Sequence, residues 1–186
     1  MDARTQTGPA AIRAIHNGGG LAGLFGGDVA ISGSLRVERD LDVKGDIRLT
    51  NADYAEDFDM AGAVTVEPGT VMVLNEIGEL SASAQAYDRR VAGVVSGAGA
   101  YKAGIVLDRR DTGAIRQPIA LLGKVFCKVD AQFQPIAVGD LLTTSPTPGH
   151  AMATHDAARA FGTVIGKALR PLTAGRGLIP ILIALQ

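Results

Sequence analysis

The sequence predicts an all-β protein: a short trimeric β-helix or β-prism stalk followed by a duplicated, compact β-barrel or sandwich domain. Three observations carry this expectation. A six-residue repeat starts at Gly27, a longer and weaker repeat relates two stretches of the C-terminal part, and 24 glycines and 8 prolines among 186 residues punctuate short apolar runs. Frequent turn residues between short runs are the signature of many short strands rather than helices.

The hexad comes first along the chain. It reads GDVAIS, GSLRVE, RDLDVK, GDIRLT, so that Val29, Ile31, Leu35, Val37, Leu41, Val43, Ile47 and Leu49 hold the third and fifth places of four successive units. Each unit offers a three-residue strand, apolar at both ends, and then a corner, which is the pattern of a β-helix coil. A single-chain β-helix of this kind needs about three stacked repeats to bury its interior. Four units make little more than one coil, so residues 27–50 alone should not fold. Three copies around a common axis would bury the same eight aliphatics, which predicts a homotrimeric, intertwined stalk with these residues at its interface. A plain meander packed on the rest of the chain is the alternative.

The second repeat organises residues 64–186 into halves at 64–117 and 130–186. Pro68-Gly69-Thr70-Val71-Met72-Val73-Leu74 parallels Val138-Gly139-Asp140-Leu141-Leu142-Thr143-Thr144, and each is followed by a turn ending at Gly78 or Gly149 and a small-residue strand. Val91 to Val95 matches Val164 to Ala168. Gly104-Ile105-Val106-Leu107 then matches Gly177 to Ile181, and the interval from Gly93 to Gly104 equals that from Gly166 to Gly177, 11 residues. The glycines are expected at corners that need positive φ. Between the halves, Pro118 to Val129 predicts two more strands, with either Lys124, Phe126 and Lys128 or Val125, Cys127 and Val129 facing the core. Only His155 to Phe161, with Asp156 near its start, has room for a turn or two of helix.

Charge and composition narrow the function. A net charge of -1 and a pI near 6.3 leave no electrostatic footprint for nucleic acid. No apolar run reaches the roughly 18 residues of a membrane span, and Met1 to Ala14 lack a secretory pattern. The single cysteine, Cys127, allows no intrachain disulfide.

Chemistry is sparse. Residues 51–63 form an acidic junction in which Asp53, Glu56, Asp57 and Asp59 bring four carboxylates and no base. Closely spaced oxygens suit calcium, but no glycine turns the segment within its acidic run, and Tyr54 and Phe58 are spaced as anchors. A loop joining stalk to globular part is the expectation, and no metal is assigned. Gly18-Gly19-Gly20 and Gly23 to Gly27 lack the strand, Lys and helix of a phosphate loop. Ser96, Ser145 and Cys127 are the possible nucleophiles, with His150, His155 and Asp156 as possible partners, but no spacing joins them on one face. Arg89-Arg90 and Arg109-Arg110 adjoin aspartates and are expected in salt-bridged edges. The reading is therefore no enzyme, with no catalytic, cofactor or metal residues.

The run from Gly23-Leu24-Phe25 through Val29 to Leu35, then Gly45-Asp46-Ile47 and the Asn51 to Phe58 motif with its Ala52-Asp53-Tyr54-Ala55-Glu56 core, resembles the shaft-to-head region of bacteriophage tail-fibre and tail-spike proteins. Gly139 to Leu142, Pro148 to Met152, Gly162 to Leu169 and the ending Leu178 to Leu185 are similar to the closing β-domain of such fibres, which occur also in contractile injection machines. The resemblance implies a trimeric structural or adhesive appendage or connector of a virion or phage-like particle. Residues 1–26 would be an attachment arm for other tail or particle proteins, and a host surface glycan or protein would be a further partner. Some domains of this kind are self-processing intramolecular chaperones that promote fibre trimerisation, which is the alternative function.

Overall fold

The computed structural model describes residues 14–185. Compact units divide between Asp46 and Ile47, a point inside the hexad segment.

Among the described residues, no strand forms before Asp53. From there the chain is nearly all β: β1 (Asp53–Asp59), β2 (Val71–Leu74), β3 (Leu80–Ala82), β4 (Val91–Val95), β5 (Ala103–Leu107), β6 (Arg116–Asp130), β7 (Leu141–Thr144), β8 (Ala151–Ala153), β9 (Val164–Ala168) and β10 (Arg176–Ala184). Beside a 3-10 turn at Ala61–Ala63, an α-helical turn, α1 (Ala157–Ala160), is capped by Asp156, whose carboxylate accepts from the amides of Ala158 and Arg159. That is the place the sequence left for helix, and the short polar side chain at the cap explains why it starts there.

The strands close into a barrel with outer strands attached. β10 pairs with β9, β9 with β7, β7 with β8, β8 with β6, and β6 returns to β10 over nine residue pairs. Its interior is filled by Val125, Cys127, Val129, Leu142, Ile165, Ile179, Ile181 and Ile183 among others. The first half of β6 leaves this ring to pair with β4 and β1, and β4 leads on to β2 and β3. Val125, Cys127 and Val129 are thus the inward set, and Lys124, Phe126 and Lys128 are not fully buried.

Two expectations need correction here. The segment 116–130 is one strand of 15 residues, not two. Gly123 (φ 101°) sits within it, and a Cβ there would stand 2.6 Å from the Ala52 carbonyl oxygen, so the close approach of that backbone requires glycine. Three strands of each stretch pair alike, and the fourth does not follow the expected match. β2 pairs with β3 and β4 as β7 pairs with β8 and β9, each with an irregular register beside Gly93 or Gly166. Hydrogen bonds repeat as well: Gly69 N to Val95 O (2.8 Å) parallels Gly139 N to Ala168 O (2.8 Å), and Ser83 N to Val71 O (2.9 Å) parallels Thr154 N to Leu141 O (2.9 Å).

β5, however, is no counterpart of β10. It runs parallel to β1 at an edge. The counterpart is the first half of β6: Ser96 N donates to Pro118 O (2.8 Å) as Leu169 N donates to Pro180 O (3.0 Å), and Val95 faces Ile119 as Ala168 faces Ile181. The equal intervals to Gly104 and Gly177 are a coincidence of loop length. Gly69, Gly78, Gly139 and Gly149 are positive-φ corners, but Gly93 and Gly166 lie inside strands, where the neighbouring backbone leaves no space for a Cβ.

Candidate functional site

The expected interface residues are all exposed in the single chain. Val29, Ile31, Leu35, Val37, Leu41, Val43, Ile47 and Leu49 are between 42% and 66% exposed in the single chain. Eight aliphatics at a fixed period with no intrachain cover are costly in water, since each buried methylene is worth about 0.8 kcal/mol. The glycines upstream serve local geometry: the amides of Gly18 and Gly20 donate to Nδ1 of His16 at 3.1 and 3.0 Å.

The acidic junction is a strand rather than a loop. β1 is clamped between β5 and β6, with Asp53, Ala55 and Asp57 buried and Tyr54 turned outward. The bases missing locally arrive from far along the chain. Arg109 Nε donates to Asp57 Oδ2 at 3.3 Å, and Arg116 joins Asp59 Oδ1 at 2.9 Å, the Asp57 carbonyl at 2.6 Å and the Asp108 carboxylate. Those bonds, together with strand pairing, hold a four-carboxylate segment in a sheet. Tyr54 lies in register with Ile105 and Leu122, and Phe58 packs near Met60, Met72, Leu80 and Ile119. Glu56 is half-buried opposite Leu107 and Ile119. Among the described residues no group of three His, Cys, Asp or Glu side chains is placed to hold a metal ion.

Asp53 is the notable member. It is buried, and the Ser96 hydroxyl hydrogen-bonds its two carboxylate oxygens at 2.9 Å each. Burial raises its pKa, and the Ser96 bond opposes the rise in part. Because the folded-state pKa lies above the unfolded one, this group favours folding below about pH 4, and the benefit is lost as pH rises through the folded value. Asp53→Asn keeps an acceptor for Ser96 and removes the charge. Its stability relative to the parent is therefore expected to increase from pH 3 to pH 7. Denaturation midpoints of both proteins at the two pH values measure this, and an unchanged difference would show that burial does not penalise the carboxylate.

The other polar candidates are scattered. Ser145 Oγ closes its own turn, donating to Thr147 O and accepting from Thr147 N at 3.1 Å. His150 Nδ1 bonds Pro148 O at 2.7 Å, and Asp156 caps α1. Cys127 is fully buried among aliphatics, which pushes its thiol pKa up to about 12. The basic doublets pair as expected at Arg90 with Asp88 (2.7 Å), Arg109 with Asp57 (3.3 Å) and Arg110 with Asp108 (3.1 Å). Arg90 holds the Asp88 carboxyl below its ordinary range through hydrogen bonding. Sequence reasoning missed Arg116 as the organiser of the acidic strand, and nothing local to Asp57 or Asp59 signals it.

No family model matches the chain, and no curated protein matches it. Its structural neighbours include bacteriophage phi29 proteins. Pre-mature gene product 12 superposes with a TM-score of 0.57 at 14% identity, over 79% of this chain and 24% of that one. The gene product 12 C-terminal fragment gives 0.48 at 16% identity, covering 70% and 99% of the two chains, and the N base of head fibre gp8.5 gives 0.37 at 21% identity, covering 70% and 95%. The chain spans about a quarter of the length of gene product 12. The likeness is one of fold, and the phage-fibre resemblance seen in the sequence meets phage proteins as its neighbours.

Proposed function

We propose that the chain is a structural, homotrimeric appendage or connector of a phage-like particle, without catalytic activity. The observation that carries this reading is the aliphatic ladder from Val29 to Leu49, exposed in one chain and periodic in the way an intertwined stalk requires. The fold shared with a phage protein supports it. In this reading residues 27–50 wind with two partner copies, and the strands from β1 to β10, residues 53–184, form the β-domain. Residues 1–26 attach to other particle proteins; of these, residues 1–13 lie outside the described residues. Three copies of a weak surface site would raise apparent affinity for a host surface by avidity alone. The native mass of the purified chain tests the proposal, with three chains expected and one chain overturning it.

A second reading, a self-processing chaperone domain, draws on the buried Asp53 and Ser96 pair, a hydroxyl held against a carboxylate of raised pKa beside the junction. The mass of the denatured chain distinguishes the two. A full-length mass of 19.1 kDa supports the structural reading, and fragments that disappear in Ser96→Ala support processing.

A further inference from the structure

We infer that Asn17 is a self-modification site, at which His16 acts as general base for closure of a succinimide ring and loss of the side-chain amide as ammonia. The inference goes beyond the structural role and is independent of oligomeric state, because every reacting group lies between His16 and Gly20 of one chain. Asn17-Gly18 is the one Asn-Gly pair of the sequence; Asn51 and Asn75 precede Ala52 and Glu76.

The hydrogen bonding singles out the attacking atom. Ring closure requires the backbone nitrogen of Gly18 to give up its proton and bond Cγ of Asn17. That nitrogen stands 3.1 Å from Nδ1 of His16 and donates to it, within the reach of a general base. A backbone amide ordinarily donates to a carbonyl oxygen, which is too weak a base to take the proton. Here the acceptor is an imidazole nitrogen, which is not. The Gly20 amide donates to the same Nδ1 at 3.0 Å. Two donors on one nitrogen assign the ring proton to Nε2, leave the Nδ1 lone pair facing Gly18, and hold the ring in place.

Glycine serves both the ring and the reaction. A Cβ at Gly18 would stand 3.1 Å from Cε1 of His16, and one at Gly20 would stand 2.9 Å from it, so the imidazole can approach because both are absent. The same missing side chain leaves the Gly18 nitrogen unhindered. Asn17 and Gly18 are exposed and lie in a turn outside every helix and strand, so no ladder hydrogen bond has to break for the nitrogen to reach Cγ.

The chemistry balances with water as the only co-reactant. His16 Nδ1 takes the Gly18 proton as the N–Cγ bond forms. The proton passes to Nδ2 of Asn17, the Cγ–Nδ2 bond breaks, and ammonia leaves. Water then opens the ring at either carbonyl, giving aspartate or isoaspartate. Either product puts a new carboxylate into residues 1–26, and isoaspartate also adds a methylene to the backbone.

The test incubates the purified full chain at neutral pH and follows released ammonia together with the peptide containing Asn17. That peptide should gain the mass difference between NH2 and OH and divide into aspartyl and isoaspartyl forms. General acid–base catalysis in enzyme sites is worth about 10²–10⁴-fold, and about tenfold is expected in an exposed turn, so His16→Ala should convert about ten times more slowly. Gly20→Ala, which crowds the ring and leaves Asn17-Gly18 intact, should slow conversion too. Added imidazole should restore the rate in His16→Ala, which a merely structural role for the ring would not allow. No conversion at Asn17, chain cleavage after Asn17 in place of ring opening, an equal rate in His16→Ala, or a rate in that variant that imidazole does not raise would overturn the inference.

Discussion

Replacing Leu35 and Leu41 by aspartate should abolish the trimer proposed above. In a single chain these side chains are 66% and 63% exposed, and exchanging exposed residues typically changes stability by less than about 0.5 kcal/mol. Around a three-fold axis the same exchange forces two carboxylates from each chain into one apolar core. An uncompensated buried charge costs on the order of 3 to 5 kcal/mol, and like charges around an axis add repulsion. The two architectures therefore predict opposite outcomes for one variant. Native mass and sedimentation of the double variant decide between them, with dissociated or unfolded chains expected. A monomer of unchanged melting temperature before and after substitution would sink the trimer. Leu35→Met and Leu41→Met, which retain apolar volume, should assemble normally and show that charge, not any change at these sites, is responsible.

The strands most legible in the sequence are those in which apolar residues and turn glycines coincide. β2 and β7 follow Gly69 and Gly139, and their partners β3 and β8 follow the turns at Gly78 and Gly149. The fourth strands were both expected as strands, but their equivalence was hidden by the equal intervals to Gly104 and Gly177. Pro118-Ile119-Ala120-Leu121 and Pro180-Ile181-Leu182-Ile183 are the similar sequences in equivalent places, each losing one ladder hydrogen bond at its proline. Here Pro118 and Pro180 use their carbonyls, which accept from Ser96 and Leu169. β1 was obscured for a different reason. Its buried face is Asp53, Ala55 and Asp57, so the usual alternation is inverted in polarity. The groups that make such a face tolerable come from 43, 52 and 59 residues away, at Ser96, Arg109 and Arg116. Local pattern carries no trace of partners at that separation. The hexad is the converse case: its period is unmistakable in sequence, yet its aliphatics are 42% to 66% exposed within one chain, and the trimer proposed above would supply their cover from other chains.

Substituting alanine for Gly93 or Gly166 should be among the most damaging single changes in the β-domain. A Cβ at Gly166 would stand 2.1 Å from Leu182 O and 2.9 Å from Ile183 Cα, and one at Gly93 would stand 2.5 Å from Ala120 O and 2.7 Å from Ile119 Cγ2. The opposing atoms include strand carbonyls, which cannot rotate away as a side-chain end can. Relief requires moving β9 from β10, or β4 from β6, and so breaks ladder hydrogen bonds at the equivalent point of each repeat. Overpacking and backbone strain each cost on the order of 1 to 3 kcal/mol, so a loss of about 3 kcal/mol or more is expected at each site. Gly166 should be the worse of the two: its contact is shorter and it lies on a seam of the closed ring, though Gly93 adds its own backbone cost at φ 151°. Gly78 and Gly139 isolate the conformational part of the effect, since both have positive φ and neither would meet an atom within 4 Å. Their alanine variants should lose about 1 kcal/mol. Chemical denaturation of the four variants separates the contributions. If Gly93→Ala and Gly166→Ala lost no more than these controls, close approach of the neighbouring strand could not be why glycine stands at matching positions of the two repeats.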